Sequence, residues 1–432
     1  MWILTPSSSD AAIDSGAPRS AMRNFRSIVV GKIFSALSIW LALAALTKMS
    51  DPATVGLYAL AQAICIPIAE ISKTSLREIL SSDIGGTLRF GDYMGMRIVA
   101  TLVGFGAMVA TGMIQSETAA MLAVIVLYAL ARSAELVSDM IHGLFQAQER
   151  MEHIGWSLCI LGPLALGALV AGYWLTGSLA VAVLGQLLAQ VAVLALYDIP
   201  HGRRRAAIRR ESLVPRFRMG ALGDLARRAL PLTFASVLIV VALYFPRLAV
   251  EDSLGLGGLG LFAAILALAM APDRLVNALG VAASVRLAVH YASGRIGEFL
   301  RLLSRMLAGV AIAGAAALGL CLVAGEDILR VVYTEDYAAE HRLLLWLVGA
   351  SALRSLANVL RYGVIATRRF WWLGLKNGAA ALVAVTGSVL LIPAFGLEGA
   401  GLTMVLVFAV QLAIACAALI VALRHPTGGT GA

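Results

Sequence analysis

Charge is scarce in this sequence: Asp, Glu, Lys and Arg make up 14% of the 432 residues, against 60% that are apolar, and the mean hydropathy is +0.87. That balance excludes a soluble globular domain, which could not keep so much apolar surface out of water. Cysteine is scarcer still. Cys65, Cys159, Cys321 and Cys416 each fall inside an apolar stretch, with no CxxC or Cys/His pairing. This excludes a disulfide framework and a Cys/His metal site, and no cofactor is called for. The first twenty residues are polar and lack the apolar core of a secretory signal. Catalytic motifs are also missing: there is no GxSxG elbow, P-loop, HExxH or acidic loop cluster, and the loops are too short for a catalytic domain. No catalytic residue is assigned, and transport is favoured over chemistry.

What remains is long apolar runs. Crossing the hydrocarbon layer takes about 20 apolar residues as a helix, because lipid offers the backbone no hydrogen-bond partners. Such runs lie near 27–47, 54–76, 93–113, 119–143, 153–174 and 178–197, and again near 229–249, 257–282, 303–324, 342–364, 372–394 and 399–422. The expected fold class is an all-α integral membrane protein of about twelve transmembrane helices in two six-helix lobes. Residues 1–26 read as a disordered cytoplasmic tail, 27–197 as the first lobe, 198–228 as a basic linker, 229–422 as the second lobe and 423–432 as a second tail.

Positive loops stay cytoplasmic. Both termini and the loops on their side carry 24 Lys and Arg against three on the other side (Lys48, Arg330 and Arg342). Both termini are therefore expected in the cytoplasm. The net charge of +9 does not indicate nucleic acid: the arginines at 203–205, 209 and 210 fall between spans six and seven, where they suit anionic lipid headgroups.

The two sets of spans echo one another. GLYALAQAICIP from Gly56 aligns with GLFAAILALAMAP from Gly260, each opening the second span of its half and reaching Pro67 or Pro272. HGLFQAQERM from His142 echoes YGVIATRRFW from Tyr362. Because six spans return the chain to its starting side, the halves read as parallel repeats about an axis along the membrane normal.

Seven basic residues remain within the spans: Lys32, Lys73, Arg132, Arg247, Arg274, Arg354 and Arg361. The accompanying acids are chiefly Glu70, Glu135, Asp139 and Asp273. A cation at mid-bilayer costs at least about 2.5 kcal/mol, so each should face a wet cavity or a partner. Excess positive charge suits an anionic substrate, and diphosphate is a natural fit for guanidinium groups. Arg132, Glu135, Asp139 and His142 recur at helical spacing on one face of span four. Two readings are open there: Arg132 meets substrate phosphate while an acid handles a coupling ion, or the stripe is a self-satisfied ion-pair ladder. His142, near the cytoplasmic end, reads as interfacial. Arg354 and Arg361 share a face of span ten with no acid in that span, which points to a cationic cavity. Asp273 and Arg274 are adjacent and need separate partners. Lys32, Lys73 and Arg247 lie toward span ends, where snorkelling to headgroups is the alternative to substrate contact.

YFPRLAVEDSLGLGGLGLFAAILALAMAP from Tyr244, VAASVRLAVHYASGRIGEFLRLL from Val281, EDILRVVYTEDYA from Glu326 and LIPAFGLEGAGLTMV from Leu391 resemble bacterial polysaccharide and O-antigen flippases. VGLYALAQAICIPI at Val55 and GLFQAQERMEHIG at Gly143 are similar to the first half of that family. This is the oligosaccharide-translocating branch of the multidrug/oligosaccharidyl-lipid/polysaccharide transporter superfamily. The resemblance implies a MATE-like pair of lobes around a central cationic cavity in the bacterial inner membrane. It also implies movement of undecaprenyl-diphosphate-linked oligosaccharide to the periplasmic leaflet, H+ or Na+ coupling, and work beside a polysaccharide polymerase. Arg132, Arg354, Arg361 and Arg247 would then meet diphosphate or acidic sugar. Two rival readings are a multidrug/cation antiporter, which tends to need an acidic or aromatic chamber, and an integral-membrane polysaccharide polymerase, which needs a large periplasmic loop. A major-facilitator sugar porter is a third, but its Gly-rich Asp-Arg loop is not recognisable between spans two and three.

Overall fold

A computed structural model describes residues 17–82, 88–208, 211–367, 369 and 371–424, and every secondary-structure element among them is helical. In chain order these are α1 (Ala17–Met49), α2 (Pro52–Ser72), α3 (Leu76–Ser82), α4 (Phe90–Gln115), α5 (Ala119–Ala147), α6 (Met151–Thr176) and α7 (Leu179–Val193). A π-helical turn (Leu194–Asp198) leads into α8 (Ile199–Ile208), followed by α9 (Met219–Ala269), α10 (Asp273–Ala292), α11 (Ile296–Val332), α12 (Glu335–Ala338), α13 (His341–Ala366) and α14 (Trp371–Arg424). Among the described residues ten helices are long and apolar enough to cross a membrane.

Ten rather than about twelve separate helices are found because two very long ones change direction at a glycine. A straight 54-residue α14 would be roughly 80 Å long at 1.5 Å per residue, far beyond a bilayer. It turns at Gly396, whose φ of 58° is one that only glycine adopts freely. Past that turn a Cβ on Gly399 would overlap the Leu391 carbonyl and one on Gly387 would press on Thr403, so the two arms lie side by side as a hairpin. The 51-residue α9 likewise turns at Gly255, φ 68°.

Three further expectations change. α1 begins at Ala17, so part of the expected tail continues the first helix; residues 1–16 and 425–432 lie outside the described residues. Extending an existing helix adds one hydrogen bond per residue fixed, which is far easier than starting one. The second span of each half is broken: α2 gives way to α3 through Thr74 and Ser75, both at positive φ (47° and 46°), and the run expected at 257–282 breaks at Met270–Pro272. The basic linker carries α8 and then runs along α4, where the Arg216 amide donates to the Gly91 carbonyl at 2.8 Å.

The two halves meet where α2 crosses α9. A Cβ on Gly56 would overlap the carbonyl of Leu256, and one on Gly260 would overlap the carbonyl of Pro52. Pro52 and Leu256 are 204 positions apart, as are Gly56 and Gly260, so the contact is two-fold in character. Small residues at such crossings let helices approach where lipid supplies no hydrophobic drive for association.

The core follows the same geometry. One large apolar cluster, from Leu46 and Tyr58 through Phe262 to Phe408, spans both halves toward the face bearing the Gly255 and Gly396 turns. Toward the opposite, basic face it gives way to two separate clusters: Phe90, Tyr93 and Phe145 in the first half, Leu287, Phe299 and Leu360 in the second. The halves thus share one core at the first face and have separate cores at the other, where only the start of α9, through Leu225 and Ala229, packs into the first-half cluster.

Candidate functional site

A cavity of about 780 Å³ opens in the first half, lined by α1 to α7 and the π-helical turn, with Ser236 of α9 closing one side. Six residues expected from sequence line it: Lys32, Glu70, Lys73, Arg132, Glu135 and Asp139. Helical periodicity brings them there, since α5 presents Arg132, Glu135, Asp139 and His142 to one space.

The ladder reading of α5 proves half right. Arg132 pairs with Glu135 on its own helix, and Lys73 pairs with Glu70 at 2.5 Å along α2. Asp139, however, reaches other helices: Arg77 Nη1 lies 3.2 Å from Oδ1 and Arg97 Nη2 lies 3.1 Å from Oδ2. Arg77 Nε also donates to Gln146 Oε1 at 2.7 Å. His142 is buried rather than interfacial, with Nε2 3.3 Å from both Ser157 Oγ and Asp198 Oδ1. Asp198 sits in the π-helical turn, a distortion frequent at functional sites.

Arg77 and Arg97 were counted with a cytoplasmic loop; both line the cavity, and Arg97 is 0% exposed. Arg97 falls in both the expected span 93–113 and the loop counted with the cytoplasmic side; α4 starts at Phe90 and carries it two turns inside, while Arg77 lies on the short α3. The polar residues Tyr58, Gln62, Gln186 and Gln190 also line the cavity and had not been singled out. Each pair is spaced four apart in an otherwise apolar helix, a signal available in the sequence.

The expected excess of positive charge needs correction. Five cations (Lys32, Lys73, Arg77, Arg97, Arg132) are matched in the lining by five carboxylates (Glu70, Glu78, Glu135, Asp139, Asp198). The imbalance is local: Asp139 faces two guanidinium groups, and Lys32 has no carboxylate partner among the described residues.

The second-half cations lie elsewhere. Arg354 is not uncompensated: its Nε lies 2.8 Å from Asp273 Oδ2, an acid on α10 that also accepts from Asn358 at 2.9 Å and Ser355 at 3.2 Å. Reading span ten alone missed this partner because it sits 81 positions earlier. Arg361 donates to Asn277 Oδ1 at 3.0 Å and lies over the Tyr362 ring. Arg247 stacks 4.8 Å over Tyr244. None of Arg247, Arg354, Arg361 or Asp273 lines the cavity, and the Arg274 side chain lies outside the described residues. A second cavity of about 370 Å³ lies near Gly258 and Phe395. There burial, and then the charge of Glu398, push the Glu340 carboxyl up. No group of three His, Cys, Asp or Glu placed to hold a metal occurs among the described residues.

Residues 21–287 match a family described as "Polysaccharide biosynthesis protein". The capsular polysaccharide biosynthesis protein CapF of Staphylococcus aureus is 23% identical over 386 residues, 89% of this chain and 95% of CapF. The lipid II flippase MurJ in an inward closed conformation matches with a TM-score of 0.70 at 12% identity over 93% of each chain. An inward-facing multidrug resistance transporter of the MATE family, MOP superfamily, matches at 0.63 and 12% identity, over 93% of this chain and 100% of that one. At such identities the structural likeness establishes the fold: a multi-pass, MATE-like helical membrane protein.

Proposed function

This chain belongs to the polysaccharide biosynthesis protein family, and on that premise we propose that it translocates undecaprenyl-diphosphate-linked oligosaccharide across the bacterial inner membrane. In this reading twelve crossings form two six-helix lobes, both termini are cytoplasmic, and the lobes alternate access from the cytoplasmic to the periplasmic leaflet. The observation that carries it is the cavity itself: a space beneath a core shared by both halves, lined by five cations and five carboxylates, in which Lys32 has no carboxylate partner among the described residues. Diphosphate is the substrate group such a site holds, since phosphate oxygens accept charge-assisted hydrogen bonds from Lys and Arg. Lys32, which has no carboxylate partner among the described residues, is the lining cation most free to meet it, with Arg77 nearby and Arg97 reaching the same Asp139 as Arg77. Lys73 and Arg132 would serve by exchanging an internal carboxylate for the substrate.

The second-half cations take supporting roles. Arg354 ties α13 to α10 through Asp273 and is a positioning residue; Arg361, Arg247 and Arg274 stand as contacts for other stages of the cycle. Among the acids, Glu135 and Glu70 are 35% and 37% exposed at the side chain, against 17% for Asp139 and 10% for Asp273. Glu70 and Glu135 are therefore the carboxylates within reach of a coupling H+ or Na+.

Lys32→Ala should lower export of surface polysaccharide at least tenfold while the protein stays in the membrane. A hydrogen bond to a charged group contributes about 1.5–3 kcal/mol, and 1.4 kcal/mol is a factor of ten. Lys32→Arg should keep most activity. The assay is surface polymer per cell against protein per membrane area, and unchanged export in Lys32→Ala would sink the assignment.

A further inference from the structure

We infer that the closed end of the cavity is a sugar-reading subsite in which Tyr58, Gln62 and Gln186 take the hydroxyl-rich end of the substrate, leaving the diphosphate among the cations nearer the basic face. The inference rests on the flippase reading above and adds to it an orientation, sugar first, and the residues that enforce it.

The cavity is graded along its axis. Helical rise sets the depth of each residue at 1.5 Å per position. Tyr58 and Gln62 lie roughly 9 and 15 Å from the start of α2, Gln186 about 10 Å from the start of α7, and Tyr128 about 14 Å from the start of α5. All three helices start at the face where the halves share one core. The first charge on α5, Arg132, comes only about 20 Å down, and Asp139 about 30 Å. The blind end is therefore uncharged but polar, and every ion pair lies between it and the mouth.

The chemistry of that end suits a sugar. Gln186 Nε2 donates to the Tyr58 hydroxyl at 3.0 Å, with Gln186 Oε1 3.2 Å from the same oxygen. Gln62 lines the cavity one turn further along α2 from Tyr58, whose ring meets Tyr128 edge-on at 5.8 Å. A glutamine amide offers two donors and two acceptor lone pairs, so one phenol leaves capacity on both amides. Sugar hydroxyls donate and accept at once and match such groups. A diphosphate placed here would be desolvated with only Arg132 near, and that guanidinium is already paired with Glu135, whereas nearer the mouth it finds Lys32, Arg77 and Arg97. A site built from hydrogen-bonding groups also rejects ligands that leave them unpaired.

The test compares two soluble probes on the purified full-length protein in nanodiscs: a short-chain polyprenyl diphosphate bearing a neutral trisaccharide, and the same lipid bare. The quantity read is the ratio of the two affinities within each variant, which a partly misfolded fraction does not change. In the wild type the glycosylated lipid should bind more tightly. Gln186→Ala and Gln62→Ala should each cut that ratio by about five- to tenfold, while Lys32→Ala weakens both probes alike and preserves it. A ratio unchanged in the Gln variants, or both probes weakened equally by them, overturns the inference. Wild-type protein that binds both probes equally overturns the inference alone; wild-type protein that binds neither overturns the flippase reading with it.

Discussion

Gly56→Val is expected to abolish export and to leave little folded protein, and Gly260→Val to do the same from the other side of the crossing. At both positions the added carbon would overlap backbone of the opposite half rather than a movable side chain. The overlap is relieved only by separating α2 from α9. Overpacking alone costs about 1–3 kcal/mol, and here the separation also opens the core shared by the two halves, where Tyr58, Leu259 and Phe262 are buried. Gly106→Val is the control: the same change on α4 meets open space and should leave thermal unfolding and export near wild type. Normal export from Gly56→Val would show that the halves do not meet at this crossing in the working protein.

Arg97→Ala is expected to have the second largest effect. The side chain is fully buried and bonds Asp139 and the Ser72 carbonyl, so it links α4 to α5 and to the break after α2. Removing one partner of a buried ion pair costs about 3–5 kcal/mol because the other charge is stranded. Arg77 still faces Asp139, which places the expected loss toward the lower end. The diagnostic variant is Arg97→Met with Asp139→Asn and Arg77→Met, because Arg77 shares Asp139. If the cluster only holds helices, the triple variant should recover both folding and export. If its arginines also serve the substrate, the melting temperature should recover while export stays low, and the latter is the expected result.

Much of the architecture was legible because the bilayer leaves so few options. An apolar run long enough to span must be helical, and α4, α5, α6 and α13 fall within a few residues of the spans drawn from composition. The stripe from Arg132 to His142 was legible for the same reason, as periodicity alone puts those residues on one face. What could not be read were relations between helices. Asp273 and Arg354 look like unsatisfied charges until α10 is laid beside α13. Arg97, near the start of the third span, looks like an interfacial residue until α4 is laid beside α5 and Asp139 is seen to meet it. The glycine echo at Gly56 and Gly260 was visible in sequence as a repeat, but its meaning was not. Only the fold shows that each glycine exists to admit the backbone of the other half. The pairs Tyr58/Gln62 and Gln186/Gln190 carry no charge, and uncharged polar residues in a span also serve ordinary helix packing, so spacing alone does not mark them as lining a cavity.

The central claim, movement of a lipid-linked oligosaccharide between leaflets, is tested most directly by deleting the gene in its host. The undecaprenyl-diphosphate-linked oligosaccharide on the inner leaflet is then measured alongside surface polysaccharide. The account predicts accumulation of the lipid-linked unit with loss of surface polymer, both restored by the wild-type gene and not by the Lys32→Ala variant. Intact surface polymer with altered sensitivity to drugs would contradict it and return the protein to the antiporter reading.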